Sequence, residues 1–348
     1  YSSKLGNFDY NFLLGFELNN QKDQRRRFDN ILGIRGSLTY NAMESYLNYG
    51  TFFQLKILMK KIILFSGLRY DQSLIKLDNF ENKISNFNEA YRSFSPILGI
   101  NYKPNENFKF FGNYSTHFDT PTLGEIGNNI LIVNTSPTNI NLKPQISKSL
   151  EFGFNYNINK LDIFEIVLFT SELKNEIIPY EIENEPGRSY YRNIGETHRN
   201  GAEISISKFL SKNLSINFVN SFSNFKFIRY KIGDSNLNGN SLPLIPPFFG
   251  FFDIKWNNSN KISASIECHY SERFYLDDIN SVETNRFYLI DLILGRTITF
   301  QKVKIGLTIR VNNCFNNSYD SNLRLNAYGG RYYEPGPKRN YSVSLKFN

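Results

Sequence analysis

Apolar residues return at every second position in segment after segment of this chain. The end shows it most clearly: Tyr341, Val343, Leu345 and Phe347 share one face, and Ser342, Ser344 and Lys346 share the other. A period of two with one apolar side marks a strand with one greasy face. Phe8, Tyr10, Phe12, Leu14, Phe16 and Leu18 alternate in the same way with Asp9, Asn11 and Glu17. So do Leu150, Phe152, Phe154, Tyr156 and Ile158 against Ser149, Glu151 and Asn155. Followed along the chain, the pattern predicts about 14 strands, each long enough to cross a bilayer at a tilt.

The links between these strands alternate in length. Short ones fall at 59–61, 103–107, 159–160, 211–213, 257–260 and 301, and long ones at 75–89, 118–146, 172–190, 226–246, 271–285 and 315–337. Short turns on one side and long loops on the other are the pattern of an outer-membrane barrel with periplasmic turns and extracellular loops. The fold expected is therefore all-β: an antiparallel transmembrane outer-membrane β-barrel wall. A propeller would show a blade-length repeat instead, and none is present. Residues 19–46 lose the alternation and read as one long outer loop, strand-like only over 31–40.

Composition changes the picture little. The chain has 348 residues, 41% hydrophobic and 16% aromatic, with a mean hydropathy of −0.40. No run of 18 apolar residues marks a transmembrane helix, and a barrel needs none because only alternate residues meet lipid. The net charge is +8. That charge is scattered apart from Arg25, Arg26 and Arg27, so nucleic acid is not expected as a partner. Cys268 and Cys314 make no disulfide framework; Cys268, on an apolar face, reads as a small hydrophobe. The chain opens at Tyr1 and is read as a processed or truncated piece of a longer protein.

Six segments, in order, resemble signatures of one family. They are Phe65-Ser-Gly-Leu-Arg-Tyr-Asp71, Asn113-Tyr-Ser-Thr-His-Phe-Asp-Thr-Pro-Thr-Leu-Gly-Glu125, Asn141-Leu-Lys-Pro-Gln-Ile-Ser-Lys-Ser-Leu-Glu-Phe-Gly153, Asn193-Ile-Gly-Glu-Thr-His-Arg-Asn-Gly-Ala-Glu203, Leu242-Pro-Leu-Ile-Pro246 and Val311-Asn-Asn-Cys-Phe-Asn-Asn-Ser-Tyr319. With the closing strand, they make nearly the whole chain similar to the C-terminal part of a TonB-dependent outer-membrane receptor. Gln145 stands where the family usually has Glu, and Asp119-Thr120 where it has Arg-Ala. The chain ends in Asn348, one residue past the expected terminal aromatic.

The resemblance implies a barrel of about 22 strands with a plugged lumen, of which residues 1–348 form the C-terminal part. Roughly the first eight strands, the plug and the TonB-engaging box would lie outside this chain. It implies active uptake of a ferric siderophore, ferric citrate or cobalamin, energised through TonB. The implied partners are outer-membrane lipid, lipopolysaccharide, TonB through the N-terminal region, and the barrel assembly machinery. No catalysis, cofactor or resident metal is expected. A passive porin-like or adhesin barrel and an outer-membrane hydrolase are the alternatives, the latter resting only on His269 near Ser265.

Candidate ligand contacts follow from residue type. Arg188, Tyr190, Tyr191, Arg192, Arg324, Arg331, Tyr332 and Tyr333 all fall in the outer loops, taken here as 172–192 and 315–337. Arginine supplies forked donors to carboxylates or catecholates, and tyrosine supplies flat contact area. The duller roles are an interfacial tyrosine girdle and arginine against lipopolysaccharide phosphates. His117, His198 and His269 show no metal-ligand spacing, and no histidine between Pro121 and Pro144 marks a haem receptor. Asp277, Asp278, Asn280 and Glu283 read as a solvated acidic turn rather than a calcium site. Charges such as Arg69, Asp71, Glu151, Glu203, Asp253, Glu267 and Arg310 fall on the polar face and are expected to pair with one another or with a plug in a wet interior.

Overall fold

The structure, a computed structural model, describes every residue except 1, 6–7, 81–85, 130–141, 160–161, 183–188, 259, 302 and 348, with the backbone alone at 2–5 and 300. Its strands are β1 (Ser2–Leu5), β2 (Phe8–Ile31), β3 (Ile34–Met59), β4 (Ile62–Asn79), β5 (Phe87–Tyr102), β6 (Phe108–Asp119), β7 (Gln145–Asn157), β8 (Ile163–Lys174), β9 (Ile177–Tyr180), β10 (Tyr190–Asn193) and β11 (Glu196–Phe209). They continue as β12 (Leu214–Arg229), β13 (Lys231–Ile232), β14 (Ser235–Asn236), β15 (Phe248–Asn257), β16 (Ile262–Ser271), β17 (Phe287–Phe300), β18 (Val303–Asn312), β19 (Asp320–Leu323), β20 (Tyr333–Pro335) and β21 (Asn340–Phe347). One short helix, α1 (Leu123–Asn129), interrupts them.

Fifteen of these strands form one antiparallel meander in the order β1-β2-β3-β4-β5-β6-β7-β8-β11-β12-β15-β16-β17-β18-β21. The three remaining pairs, β9 with β10, β13 with β14 and β19 with β20, are small separate sheets. All three, and α1, fall inside long links. The short links carry no such elements among the described residues.

Register explains why the alternation is so clean. Phe152 faces Leu168 and Phe154 faces Ile166 across β7 and β8, with Phe110 opposite Phe154 on β6. Leu307 pairs with Leu345 and Ile309 with Val343 at the closing strand. Apolar positions thus meet apolar positions from strand to strand, and they stay exposed: Phe152 is 57% exposed and Leu345 58%. A slip of one residue anywhere would turn an apolar row to the wrong side.

The opposite face is polar and internally paired. Arg69 bridges Asp71 at 2.7 Å and Glu17 at 2.8 Å. Asp253, Glu267 and Asp291 lie directly across from one another on β15, β16 and β17. Like charges so placed repel. Arg310 relieves them by reaching Glu267 at 2.9 Å and Asp291 at 2.6 Å, while Lys255 meets Asp253 at 3.3 Å. Two rings on this side lie on glycine: a Cβ at Gly153 would collide with the Phe111 ring, and one at Gly201 with Phe169.

One expectation is corrected. Residues 19–46 are not a loop; they are the upper halves of β2 and β3, paired from Asp9 with Leu58 up to Ile31 with Ile34. The turn at Leu32 and Gly33 takes positive φ at both residues, 50° and 90°. Strands of 24 and 26 residues reach about 80 Å at ~3.3 Å per residue, far beyond an apolar band of about 25 Å. Above that band no lipid imposes alternation, while the β2–β3 ladder still runs on to the turn, with irregularities at Arg27/Phe28 and Phe28/Asn30. The pattern fades there without the strand ending.

The register makes a direct prediction. In a background with Cys268 and Cys314 replaced by Ser, a membrane-restricted thiol probe will label Phe154→Cys and leave Glu151→Cys unmodified. The reverse pattern would show that the faces are inverted.

Candidate functional site

The long links build two buried platforms at one end of the sheet. The first joins Tyr40 and Ala42 of β3, Ile75 and Leu77 of β4, and Phe87 of β5 to Leu123 and Ile126 of α1. The helix starts at a reciprocal cap: Thr122 N–H donates to Glu125 Oε2 at 2.7 Å, and Glu125 N–H donates to Thr122 Oγ1 at 3.2 Å. A threonine followed three residues later by glutamate is the capping-box arrangement, so the Pro-Thr-Leu-Gly-Glu stretch is a helix start. Beneath α1, the buried Glu44 meets Arg25 at 2.9 Å and accepts from the Tyr40 hydroxyl at 3.0 Å. Burial pushes the Glu44 carboxyl above its ordinary range despite the opposing pull of Arg25. Asn128 ties this platform to its neighbour, accepting from Arg27 at 2.6 Å and donating to the Ser189 carbonyl at 3.2 Å.

The second platform gathers Ile178, Ile194, Phe227, Tyr230, Leu237 and Leu242 from the β9–β10 and β12–β15 links. Asp278, only 2% exposed, is its polar centre. Its carboxylate accepts from the Tyr230 hydroxyl at 2.8 Å and from Arg192 at 3.3 Å. Its backbone accepts from Asn240 at 3.0 Å and donates to Asn326 Oδ1 at 3.0 Å. Four outer links therefore converge on one residue. Burial, and then the Asp278 charge, hold the Tyr230 phenol far above its ordinary pKa, so it remains a donor. Asp277 beside it accepts from the Ser281 and Val282 N–H groups at 2.8 and 3.0 Å. The expected solvated acidic turn is thus a buried, hydrogen-bonded one, because these carboxylates staple loops rather than face water. No metal-ligand cluster is present among the described residues.

Smaller clamps fix the strand ends. Asn193 donates to the Lys143 and Asn175 carbonyls at 2.8 and 2.7 Å and accepts from Lys143 N–H at 2.7 Å. Asn313, at φ 49°, accepts from Asn317 N–H at 2.9 Å and donates to the Asn317 carbonyl at 2.8 Å, while its own N–H reaches Asp291 at 2.8 Å. Asp119 and Gln145 lie opposite each other on β6 and β7, and the Gln145 amide donates to Asp119 at 2.9 Å.

The model of the TonB dependent receptor-like β-barrel family matches residues 1–314. The chain belongs to this family. Solved structures with the same fold include the ferric citrate transporter FecA, at a TM-score of 0.79 and 16% identity over 99% of this chain and 52% of that one. The ferric preacinetobactin receptor BauA from Acinetobacter baumannii matches at a TM-score of 0.75 and 13% identity over 99% and 52%. The copper transporter OprC matches at 0.76 and 17% identity over 99% and 55%. The chain spans about half the length of each. TonB-dependent receptors are outer-membrane proteins, and the matched structures are named as a ferric citrate transporter, a ferric preacinetobactin receptor and a copper transporter.

In this TonB-dependent receptor barrel the candidate ligand residues separate into two groups. Tyr190 is fully buried, packed on Tyr180 with ring centroids 6.1 Å apart. Arg192 lies over the Tyr180 ring at 4.8 Å and is tied to Asp278. These two underpin the β9–β10 hairpin. By contrast, Arg324 and Arg331 are exposed; Arg324 meets Glu334 at 3.2 Å, and Arg331 meets Glu181 at 3.0 Å and donates to the Tyr328 carbonyl at 3.4 Å. Tyr332 and Tyr333 stand side by side at 6.2 Å, with the Tyr333 hydroxyl on the Glu283 carbonyl at 3.1 Å. Tyr191 is half-buried, and burial followed by Glu125 raises its phenol. The Glu181–Arg331 pair brings the β9–β10 hairpin against the β19–β20 hairpin. Arg188 lies outside the described residues. Of the histidines, His117 pairs with Asp119 at 3.0 Å, His198 contacts Thr170 at 3.0 Å and His269 packs on Phe251 at 4.8 Å.

Replacing Asp278 with Asn should release the outer links without unfolding the wall. Breaking a buried ion pair costs about 3–5 kcal/mol, with the lower end expected because Arg192 keeps some solvent. Hydrogen–deuterium exchange should rise in 177–193, 226–246 and 272–286 and stay unchanged in β4 to β8.

Proposed function

We propose that this chain forms part of the wall and outer loops of an outer-membrane receptor that takes up an anionic iron chelate, energised through TonB. Residues 1–348 act as the C-terminal portion of a larger barrel whose remaining strands and plug come from elsewhere in the protein. The support for the ligand class is the β19–β20 hairpin. Arg324 and Arg331 stand exposed beside Tyr332 and Tyr333, with Arg331 meeting Glu181 of the neighbouring hairpin link. Exposed ion pairs are worth about 0–1 kcal/mol. An incoming carboxylate or catecholate can therefore displace Glu334 from Arg324 at little cost and add to the largely buried Glu181 beside Arg331, gaining charge-assisted, forked hydrogen bonds. Tyr190, Arg192 and Asp278 hold the surface in place, which lowers the ordering cost of binding.

The inner wall fits the same reading. Most of its charges pair locally, but Glu151 and Glu203 have no ion pair among the described residues, and a plug seated in the lumen would face them. The exposed apolar face fits the lipid partner, and the apolar closing strand β21 fits recognition by the barrel assembly machinery.

The test is a fluorescence titration at fixed salt on the full-length receptor. Arg324→Ala with Arg331→Ala should weaken ferric-chelate binding by about 1–3 kcal/mol per charged hydrogen bond lost. Unchanged affinity in the double variant would remove the iron-chelate assignment and leave the barrel intact.

A further inference from the structure

Along the sequence the positive charge is scattered; in the fold it is sorted by end. At the outer end arginines are held by carboxylates: Arg25 by Glu44, Arg192 by Asp278, Arg199 by Glu176, Arg229 by Glu196 and Arg331 by Glu181. At the short-turn end the cations are lysines. Lys56, Lys109, Lys255, Lys304 and Lys346 all stand within three residues of that end of their strands. Register puts all five on the polar face: Lys56 lies opposite Asn11, Lys109 opposite Asn155, Lys255 opposite Ser265, Lys304 opposite Thr299 and Lys346 opposite Gly306. Lys61 and Lys103 continue the same alternation into two adjacent turns, where the Lys103 N–H donates to the Lys61 carbonyl at 2.7 Å.

Two of these lysines are engaged. Lys255 meets Asp253 at 3.3 Å, and Lys109 lies over the Phe111 ring at 4.9 Å. Lys56, Lys61, Lys103, Lys304 and Lys346 are exposed and have no carboxylate partner among the described residues. On the polar face, the described carboxylates within four residues of that end are Asp9, Glu165 and Asp253. Glu165 already accepts from the Asn155 amide at 3.0 Å. In the turns, Lys60, Lys212 and Lys261 stand against Glu106 and the buried Asp162. This arc of the mouth is therefore positive, and its lysines face the lumen rather than the lipid. Rings of charged side chains select solutes by sign, and one sign of charge along low-dielectric walls focuses the field in the opening. Lysine is a hydrated point charge on a flexible stem, without the fork by which arginine grips a carboxylate.

We propose that the short-turn mouth of this wall is an electrostatic exit for an anionic solute, with the lumen-facing lysines drawing the chelate inward without holding it. The inference rests on the reading of the outer loops as a receptor for an anionic iron chelate, and it narrows that reading. The cargo still carries negative charge when it leaves, so a neutral ferric complex is not the substrate. Arginine at the outer end binds; lysine at the inner end passes the solute on.

Uptake of the ferric tris-catechol complex, a trianion, by cells carrying the full-length receptor tests it. One variant combines Lys56→Gln, Lys61→Gln, Lys103→Gln and Lys304→Gln; a second changes the same four positions to Arg. Fluorescence titration should give one affinity for wild type and both variants, since none of the four belongs to the outer loops. The maximal uptake rate should fall by about tenfold in the Gln variant, with half-saturation unchanged, and recover in the Arg variant. Outer-membrane fractionation and heat-modifiable mobility are read on the same cells; if the fourfold variant is misplaced, Lys56→Gln with Lys61→Gln replaces it, with a smaller fall expected. A wild type that fails to bind or to import the trianion would sink the receptor reading and this one with it. With binding and import intact, three results overturn the exit alone: equal maximal rates, a loss that Arg does not restore, or new vancomycin sensitivity in the Gln variant. The last would mean that the lysines seat an acidic plug segment instead.

Discussion

Inside hydrocarbon there is no water to satisfy a peptide group, and that constraint shapes this molecule. Every N–H and C=O that crosses the membrane must find a neighbouring strand. The ladder from β1 to β21 answers it between neighbouring strands, leaving the two outer edges of the sheet for strands beyond those described, and the side-chain pattern follows. Once backbone pairing is obligatory, each strand presents alternate residues to lipid and lumen, and neighbouring strands must agree on which is which. The Phe110–Phe154–Ile166 row is that agreement seen across three strands. Charges can then gather on the inner face, where Arg310 holds two carboxylates that would otherwise repel.

Outside the membrane the constraint changes from lipid exposure to loop entropy. Long links have to be ordered before they can present a surface. This chain uses buried carboxylates as staples: Glu44 under α1, and Asp278 among four links. Both sit at the polar heart of an apolar cluster, so each is screened from water and interacts strongly with its partners. The arginines and tyrosines above them are left with weak, exposed pairs. Rigidity and availability are thus divided between two layers of the same loops.

How much of this was legible in the sequence depended on whether lipid had written it there. The strand faces from residue 47 onward were readable because bilayer contact enforces a period of two. The upper halves of β2 and β3 were not, since polar strands in water look like loop. Within the candidate site, residue type pointed to arginine and tyrosine in long links but could not separate Tyr190, fully buried, from Tyr333, exposed. Nor could it show that Asp277 and Asp278 are interior, because an acidic pair reads as solvated until its donors, Tyr230 and Ser281, are brought to it by the fold. One signal was available and passed over: Thr122 and Glu125 have capping-box spacing.

The facing pair Asp119 and Gln145 also constrains how this chain can change. At these positions the family pattern has Arg and Glu, a charge-complementary couple. A route that exchanged Arg for Asp first would pass through two carboxylates directly opposed across the ladder, a destabilising state. Exchanging Glu for Gln first leaves an arginine facing an amide oxygen, and the later Asp finds an amide donor waiting. The register of two strands therefore ties the two positions together, so that neither can change without its partner across the ladder feeling the change in charge.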